Sequence, residues 1–380
     1  MNLSLSKTFL CLNDIESEAL KQLPKIYGDY YKGGADNEIT LKRNLESYKN
    51  LLIRPFCLRN VSNINTEVTI KLGTETFSFP FPIGISPSAF HGLADDGGEK
   101  STAKACYKAH VPVIFSTMGN VSVFDISKEV EGDSHFWFQL YVYKNREITK
   151  ELVNNAKAAG FKAIVLTVDT PIVGVRRADI RNNFKLPEHL ELANLKSVSL
   201  LNKENNSRLG TFELNKYSEN YFDPSLTWDD VKWLVEYSKM PIIIKGILRG
   251  DDAEKAIESG AAAILISNHG GRQLDTTIST IEALPEIVKI VNKRIPIFID
   301  GGIRSGSDIF KAITLGADMA FIGRPILYGL TIGGEDGVTH VLNILKKEFS
   351  TTMKLAGCDS ICFMKEAKSL VINSNVISKL

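Results

Sequence analysis

Residues 241–275 read PIIIKGILRGDDAEKAIESGAAAILISNHGGRQLD, and one full repeat of the fold lies within them. PIIIKG and AAILISN are short, continuous apolar runs, as expected of strands covered on both faces. Between them DDAEKAIESG has helical spacing and stops at a glycine, where helices commonly end. Strand, helix and strand in immediate succession predict a βαβ unit with parallel strands.

The same rhythm continues on either side. Upstream lie FPIGIS (81–86), VPVIFST (111–117), FWFQLYV (136–142) and AIVLTVD (163–169); downstream lie PIFIDG (296–301) and MAFIGR (319–324). With the two opening runs these make eight strands, alternating with helix-like stretches such as NREITKELVNNAKAAG and SGSDIFKAITLG. Eight βα units in series predict an α/β fold of the (β/α)8 TIM barrel type. A doubly wound sheet is the competitor, but no GxGxxG follows the first strand.

About 70 residues separate the fourth and fifth strands, including the polar tract NLKSVSLLNKENNSRLGTFELNKYSENYFDPS. Loops of this length are usually functional lids or disordered. Residues 185–226 are therefore expected to form a flexible lid over the barrel mouth. Residues 1–75 should form an N-terminal cap, helical through DIESEALKQLPKIYGDYYKGG and then extended. The barrel should span 76–350, with 351–380 a C-terminal helical tail that frays, all in a single functional unit.

Composition narrows the partners. The 380 residues carry 45 basic and 44 acidic side chains, a net charge of +1 that gives no reason to expect nucleic acid. The opening MNLSLSKTFLCLND is poorly patterned for a signal peptide, and no apolar run reaches spanning length. The expected location is the cytoplasm, with peripheral contact at the inner face of a membrane as an alternative. Cys11, Cys57, Cys106, Cys358 and Cys362 show neither CxxC nor CxxCH spacing and read as unpaired thiols.

Active sites of this barrel class gather at the C-terminal ends of the strands. In order, those ends carry Ser86 and Ser88; Ser116 and Thr117; Gln139 and Tyr141; Thr167 and Asp169; Lys245; Ser267, His269 and Arg272; Asp300 and Arg304; Gly323 and Arg324. Any one could be a turn residue, but all eight together point to a shared polar ligand. DGGIRSGSD and GRP place glycines ahead of helices, where backbone N–H groups and Arg304 or Arg324 can hold phosphate. A lysine ending an apolar strand either pairs with a carboxylate or stabilises negative charge on a cofactor ring. Of six histidines, only His269 stands at a strand end beside glycines and an arginine, and no metal-ligand cluster surrounds it.

The run SNHGGRQLD, with QLYVYK, TVDTP, PIIIKG, DGGIRSGSD and GRP, resembles the FMN-dependent L-2-hydroxy-acid oxidases and dehydrogenases. That family includes glycolate oxidase, lactate oxidase, the flavin domain of flavocytochrome b2, L-lactate dehydrogenase and mandelate dehydrogenase. The resemblance runs from about residue 15 to 365. It implies that His269 is the catalytic base and that Asp169 pairs with it, although an aspartate capping a turn is the plainer alternative. Arg272, and Arg176 in the pattern G-x-R-x-x-D, match the arginines that grip the substrate carboxylate; Tyr30 and Tyr141 match substrate-contacting tyrosines. Implied FMN contacts are Pro87, Ser88, Ala89, Ser116, Gln139, Thr167, Lys245, Ser267, Asp300, Gly302, Arg304, Gly323 and Arg324.

The expected reaction is oxidation of a small L-2-hydroxy acid, L-lactate foremost, to the 2-oxo acid. Electrons would pass to oxygen or to a quinone or cytochrome, and the resemblance implies a homotetramer. Ala89 stands where oxidases of the family carry alanine and some dehydrogenases glycine. Met118 replaces the tryptophan of glycolate oxidase, and a flexible methionine argues against a strict glycolate preference. Two other classes compete: an FMN-dependent isomerase of the isopentenyl-diphosphate type, which has no use for paired carboxylate-binding arginines, and a non-catalytic flavin-binding module.

Overall fold

The structure, a computed structural model, describes residues 3–132, 134–196, 198, 214–367 and 369–374. Eight strands close a barrel: β1 (Ile83–Ile85), β2 (Val113–Ser116), β3 (Phe136–Leu140), β4 (Ala163–Thr167), β5 (Ile242–Ile247), β6 (Ala263–Ile266), β7 (Ile297–Ile299) and β8 (Met319–Ile322). Each is parallel to the next, and β8 returns to β1 through Ala320 opposite Ile83. All eight expected strands are present, in the expected order. Their residues are almost all buried, which is why the sequence shows continuous apolar runs in place of alternation.

Aromatic side chains fill the barrel interior, with Trp137, Phe298 and Phe321 packed 5.3–5.7 Å apart between ring centres. Register then sets the polar rim: Ser116 pairs with Gln139, and Thr167 with Lys245, across adjacent strands. A bulge interrupts β5 between Lys245 and Ile247, at Gly246 with φ +117°. A side chain there would lie 2.7 Å from the Asp169 Cβ, so the glycine is what lets Asp169 approach Lys245.

Helices Leu12–Gln22, Lys25–Lys32 and Ile39–Lys49 precede the barrel. The last of these is fixed to the rim after β6. Asp275 accepts hydrogen bonds from the Asn37 and Thr40 N–H groups, capping the helix start, while Asn44 and Asn268 exchange side-chain hydrogen bonds at 2.7 and 2.9 Å. A hairpin, Val68–Leu72 with Glu75–Phe79, places Phe77 and Phe79 against His135, which immediately precedes β3. It therefore packs at the barrel end opposite the catalytic rim.

The C-terminal region is helical, as expected, and adds a short strand. A helix Arg324–Leu355, broken at Gly333–Gly334, and a short helix Ile361–Glu366 are followed by Val371–Asn373, a strand pairing antiparallel with Leu51–Ile53. Of the segment 185–226, residues 197 and 199–213 lie outside the described residues, so the expected lid falls partly there. Leu186, Leu192, Leu195 and Val198 at its edge are buried. Among the described residues no helix is long and apolar enough to cross a membrane.

Candidate active site

After β6 the chain turns through three consecutive left-handed residues: His269 (φ +56°), Gly270 (+64°) and Gly271 (+76°). The two glycines adopt this readily, and both are needed for space. A Cβ on Gly270 would lie 2.7 Å from the Arg324 Nη1, and one on Gly271 would lie 2.6 Å from the Leu41 backbone nitrogen. His269 bears a side chain in the same conformation, a strain of about 1–3 kcal/mol that surrounding structure must hold. Its N–H donates to the Ser267 Oγ at 3.1 Å, and the Gly271 N–H to the Asn268 carbonyl at 3.0 Å.

That turn sets the His269 Nδ1 2.8 Å from the Asp169 Oδ1, across the rim from the end of β4. The Thr170 hydroxyl donates to the same carboxylate oxygen at 2.8 Å. Lys245 stands 3.7 Å from the Asp169 Oδ2. Burial alone would raise the Asp169 carboxyl, but Lys245 and His269 outweigh it and hold it well below the usual carboxylate range. For His269, burial dominates and Lys245 adds to it, so the imidazole lies below its ordinary 6.5 despite Asp169. The ring is thus neutral at pH 7, with Nδ1 turned to the carboxylate and Nε2 free to accept a proton.

Two guanidinium groups border this pair. Arg176 is 8% exposed, its Nε has no hydrogen-bond partner, and its Nη2 reaches only the Gln273 Oε1 at 3.5 Å. Burial and the neighbouring charge of Arg272 push it down to about 10. Arg272 donates to the Tyr30 carbonyl at 2.6 Å and lies 4.8 Å over the Tyr30 ring, whose far face stacks on Phe184 at 4.3 Å. Two like charges, Arg176 buried and short of partners and Arg272 half-buried, form a receptor for a carboxylate. The Tyr141 ring stacks on Phe222 at 4.5 Å, and with Met118 and Val173 these rings line the apolar side of the cavity. Phe222 is held there because residues 221–223 bond to the backbone of Val142 and Lys144, while Arg146 bridges to Asp223 at 2.7 Å.

The remaining strand ends form a cradle continuous with this pocket. Ser116 donates to the Gln139 Oε1 at 3.2 Å, and the Gln139 Nε2 to the Thr167 Oγ1 at 3.1 Å. Ser86 donates to the Asp300 Oδ2 at 2.8 Å. The Lys245 Nζ and the Asp300 Oδ1 are buried without hydrogen-bond partners, so polar atoms of a ligand are wanted at both. Gly301 and Gly302 are left-handed (φ +89° and +84°) and lead into helix Gly306–Thr314; Gly323 leads into the helix from Arg324. Exposed N–H groups and Arg304 make this end suitable for phosphate. A flavin mononucleotide, with a polar ring edge and one phosphate, fits this set of groups.

Of the expected site residues, all but Asp169 and Ser267 line one cavity. Asp169 sits directly behind His269, and Ser267 is fully buried, bonded to the His269 backbone. Arg324 differs from expectation in its partners: it donates to the carbonyls of Tyr31, Gly270 and Gly33, which leaves fewer donors for a phosphate. Sequence inspection passed over Phe222, Val173, Thr170 and Gln273. Gln273 accepts from the Gly174 N–H and donates to the Ile172 carbonyl, so it sets the backbone that presents Arg176. Thr170 lies within the TVDTP motif and could have been noticed; Phe222, beyond a long polar tract, carries no local signal. Among the described residues no cluster of His, Cys, Asp or Glu could hold a metal.

Comparison with known proteins identifies the family. Glycolate oxidase 3 of Oryza sativa subsp. indica is 44% identical over 92% of this chain and 93% of its own length. An L-lactate oxidase of a Nostoc species is 44% identical over 92% and 95%. Among solved structures, a mandelate oxidase crystallised with (S)-4-hydroxymandelic acid superposes with a TM-score of 0.86 at 35% identity, covering 94% of this chain and 98% of that one. The family model for FMN-dependent dehydrogenases matches residues 19–370, and the chain belongs to that family.

Proposed function

We propose that this flavoenzyme oxidises small L-2-hydroxy acids, L-lactate foremost, to 2-oxo acids. The observation that carries the proposal is the pair of a buried Arg176 and a half-buried Arg272 beside a neutral His269. Such a pair binds a carboxylate, and the base next to it suits a proton on the adjacent carbon or its hydroxyl. The relatives' names, glycolate oxidase and L-lactate oxidase, supply the substrate class.

Conversion of a 2-hydroxy acid to a 2-oxo acid releases two electrons and two protons. FMN, when bound, supplies the two-electron acceptor. Arg176 and Arg272 hold the carboxylate, and Tyr30 and Tyr141, which line the same cavity, orient the hydroxyl and carboxylate. His269 takes one proton at Nε2, the other leaves with the electron pair as hydride or is released to solvent, and Asp169 stabilises the imidazolium that results. Lys245 offsets negative charge gained beside it. Pro87, Ser88, Ala89, Ser116, Gln139, Thr167, Ser267, Asp300, Gly302, Arg304, Gly323 and Arg324 are assigned to FMN.

Oxygen is the proposed final acceptor, because the relatives named above are oxidases; a quinone or cytochrome is the alternative. The cap to residue 75, the barrel over 76–350 and the tail are proposed to work as one unit, within a homotetramer. An isomerase acting on a diphosphate is disfavoured, since it gives Arg176 and Arg272 no task. The test is anaerobic mixing of the purified yellow protein with L-lactate, glycolate or mandelate, then reoxidation by oxygen or a quinone analogue. Bleaching by L-lactate and rapid recovery in oxygen are expected. A colourless protein, or flavin left oxidised by every L-2-hydroxy acid, overturns the proposal.

A further inference from the structure

Glu99, the second residue of helix Gly98–Ala109, is 1% exposed. Buried carboxyls ordinarily face a cation or a metal. Here the Oε1 accepts from backbone N–H groups alone, those of His91 at 3.3 Å and Asn120 at 3.1 Å, and the Oε2 is buried without a hydrogen-bond partner. Burial pushes the carboxyl up to about 7 against the pull of backbone N–H groups, its own first and then those of Asn120, His91 and Val121. Both protonation states keep an acceptor at Oε1, so it is the acceptor, more than the charge, that the site uses.

The two N–H groups belong to different walls of the cavity. His91 ends the loop after β1, which lines the cavity with Pro87, Ser88 and Ala89; Asn120 ends the loop after β2, which contributes Ser116 and Met118. The loops also touch directly, through the Gly92 N–H to the Asn120 Oδ1 at 3.2 Å and the Phe90 N–H to the Met118 carbonyl at 3.4 Å. Space around the carboxyl is tight, since a Cβ on Gly119 would come within 3.3 Å of the Glu99 Oε1. A leucine of similar bulk would be easier to bury there, yet only an acceptor can gather N–H groups from both loops.

We infer that Glu99 is a positioning residue that sets the spacing of the β1 and β2 loops, and through them the width of the cavity where FMN and substrate meet. This rests on the function proposed above. His269 and Asp169 come from β6 and β4, so the chemical step should be spared while binding suffers.

The test compares wild type with Glu99→Gln, Glu99→Leu and Glu99→Asp, reading the FMN dissociation constant of the apoprotein by flavin fluorescence, Tm, and KM and kcat for L-lactate. Glu99→Gln keeps the acceptor and should stay within about threefold of wild type throughout. Glu99→Leu removes both hydrogen bonds while the direct contacts between the loops remain, and should raise the FMN dissociation constant and KM each by about tenfold, with kcat within about threefold. Folded Glu99→Leu with wild-type binding and KM overturns the inference, as does Glu99→Gln as damaging as Glu99→Leu. If Glu99→Leu does not fold, Glu99→Asp, one methylene short, should show the same rise; unchanged constants, or failure of both to fold, overturn the positioning role. Wild type that binds no flavin refutes the proposed function instead.

Discussion

At the end of the cavity formed after β4, β5 and β6, cations stand short of partners. The Arg176 Nε and the Lys245 Nζ are both buried without a hydrogen bond. At the end formed after β7 and β8, the cations are occupied. Arg324 donates to three backbone carbonyls, and Arg304 pairs with Glu16 at 3.4 Å and with the Ile303 carbonyl. Donors already fixed by the protein are pre-organised for a resident group, since ordering them costs nothing when it binds. Donors left short by burial gain most when negative charge arrives, which at Arg176 suits a substrate carboxylate that comes and goes and at Lys245 suits charge gained during the reaction. One cavity thus holds a permanent clamp and a receptive one.

The largest effect expected on this contrast is at His269. His269 is the neutral base assigned the proton, while Asp169 and Lys245 beside it are held in their charged pairing, so His269→Gln should lower kcat/KM by about 10²–10⁴-fold. FMN affinity, measured by flavin fluorescence, should stay at the wild-type value. Equal loss of flavin would show that the two ends are not separable. A smaller, two-sided effect is expected from the arginines. Arg176→Lys removes the fork and should cost about 1.5–3 kcal/mol, or about 10- to 100-fold in kcat/KM, with FMN bound normally. Arg324→Lys should do the reverse, lowering Tm and FMN affinity because a single ammonium cannot serve three carbonyls. Matching profiles for the two variants would abolish the distinction.

The smallest effect concerns pH. His269 must be neutral to accept a proton, and its folded value is lowered by burial and Lys245. Activity should therefore be complete at neutral pH and fall only as pH drops through a midpoint below 6.5 in the profile of kcat/KM. A midpoint above that value would mean that Asp169 outweighs burial, and the receptive end would be more negative than the structure indicates.

Much of this arrangement can be read from the residues because parallel barrels write their strands as unbroken apolar runs and their sites at the ends. PIIIKG and AAILISN locate β5 and β6 without any partner, and Lys245 and His269 follow by position. Features made by distant pairing are invisible in the same way. Val371–Asn373 is a strand only because Leu51–Ile53 lies beside it. Phe222 reaches the cavity through hydrogen bonds to the loop after β3, nearly 80 residues upstream. The partners of Arg324 are backbone carbonyls, which leave no trace in residue identity. Glu99 is likewise one acid among 44 until its burial is known.

The bond between Asn44 and Asn268 has a consequence for how the chain is made. Its two ends are 224 residues apart, and the Asp275 carboxylate that caps the same helix is 235 residues beyond Thr40. At about 5–20 residues per second, a ribosome takes roughly 10–45 s to travel from one partner to the other. Throughout that interval helix Ile39–Lys49 has emerged but its dock has not been synthesised. The helix is therefore translated well before its dock and is among the last parts to settle, and Tyr30 and Tyr31 wait with it.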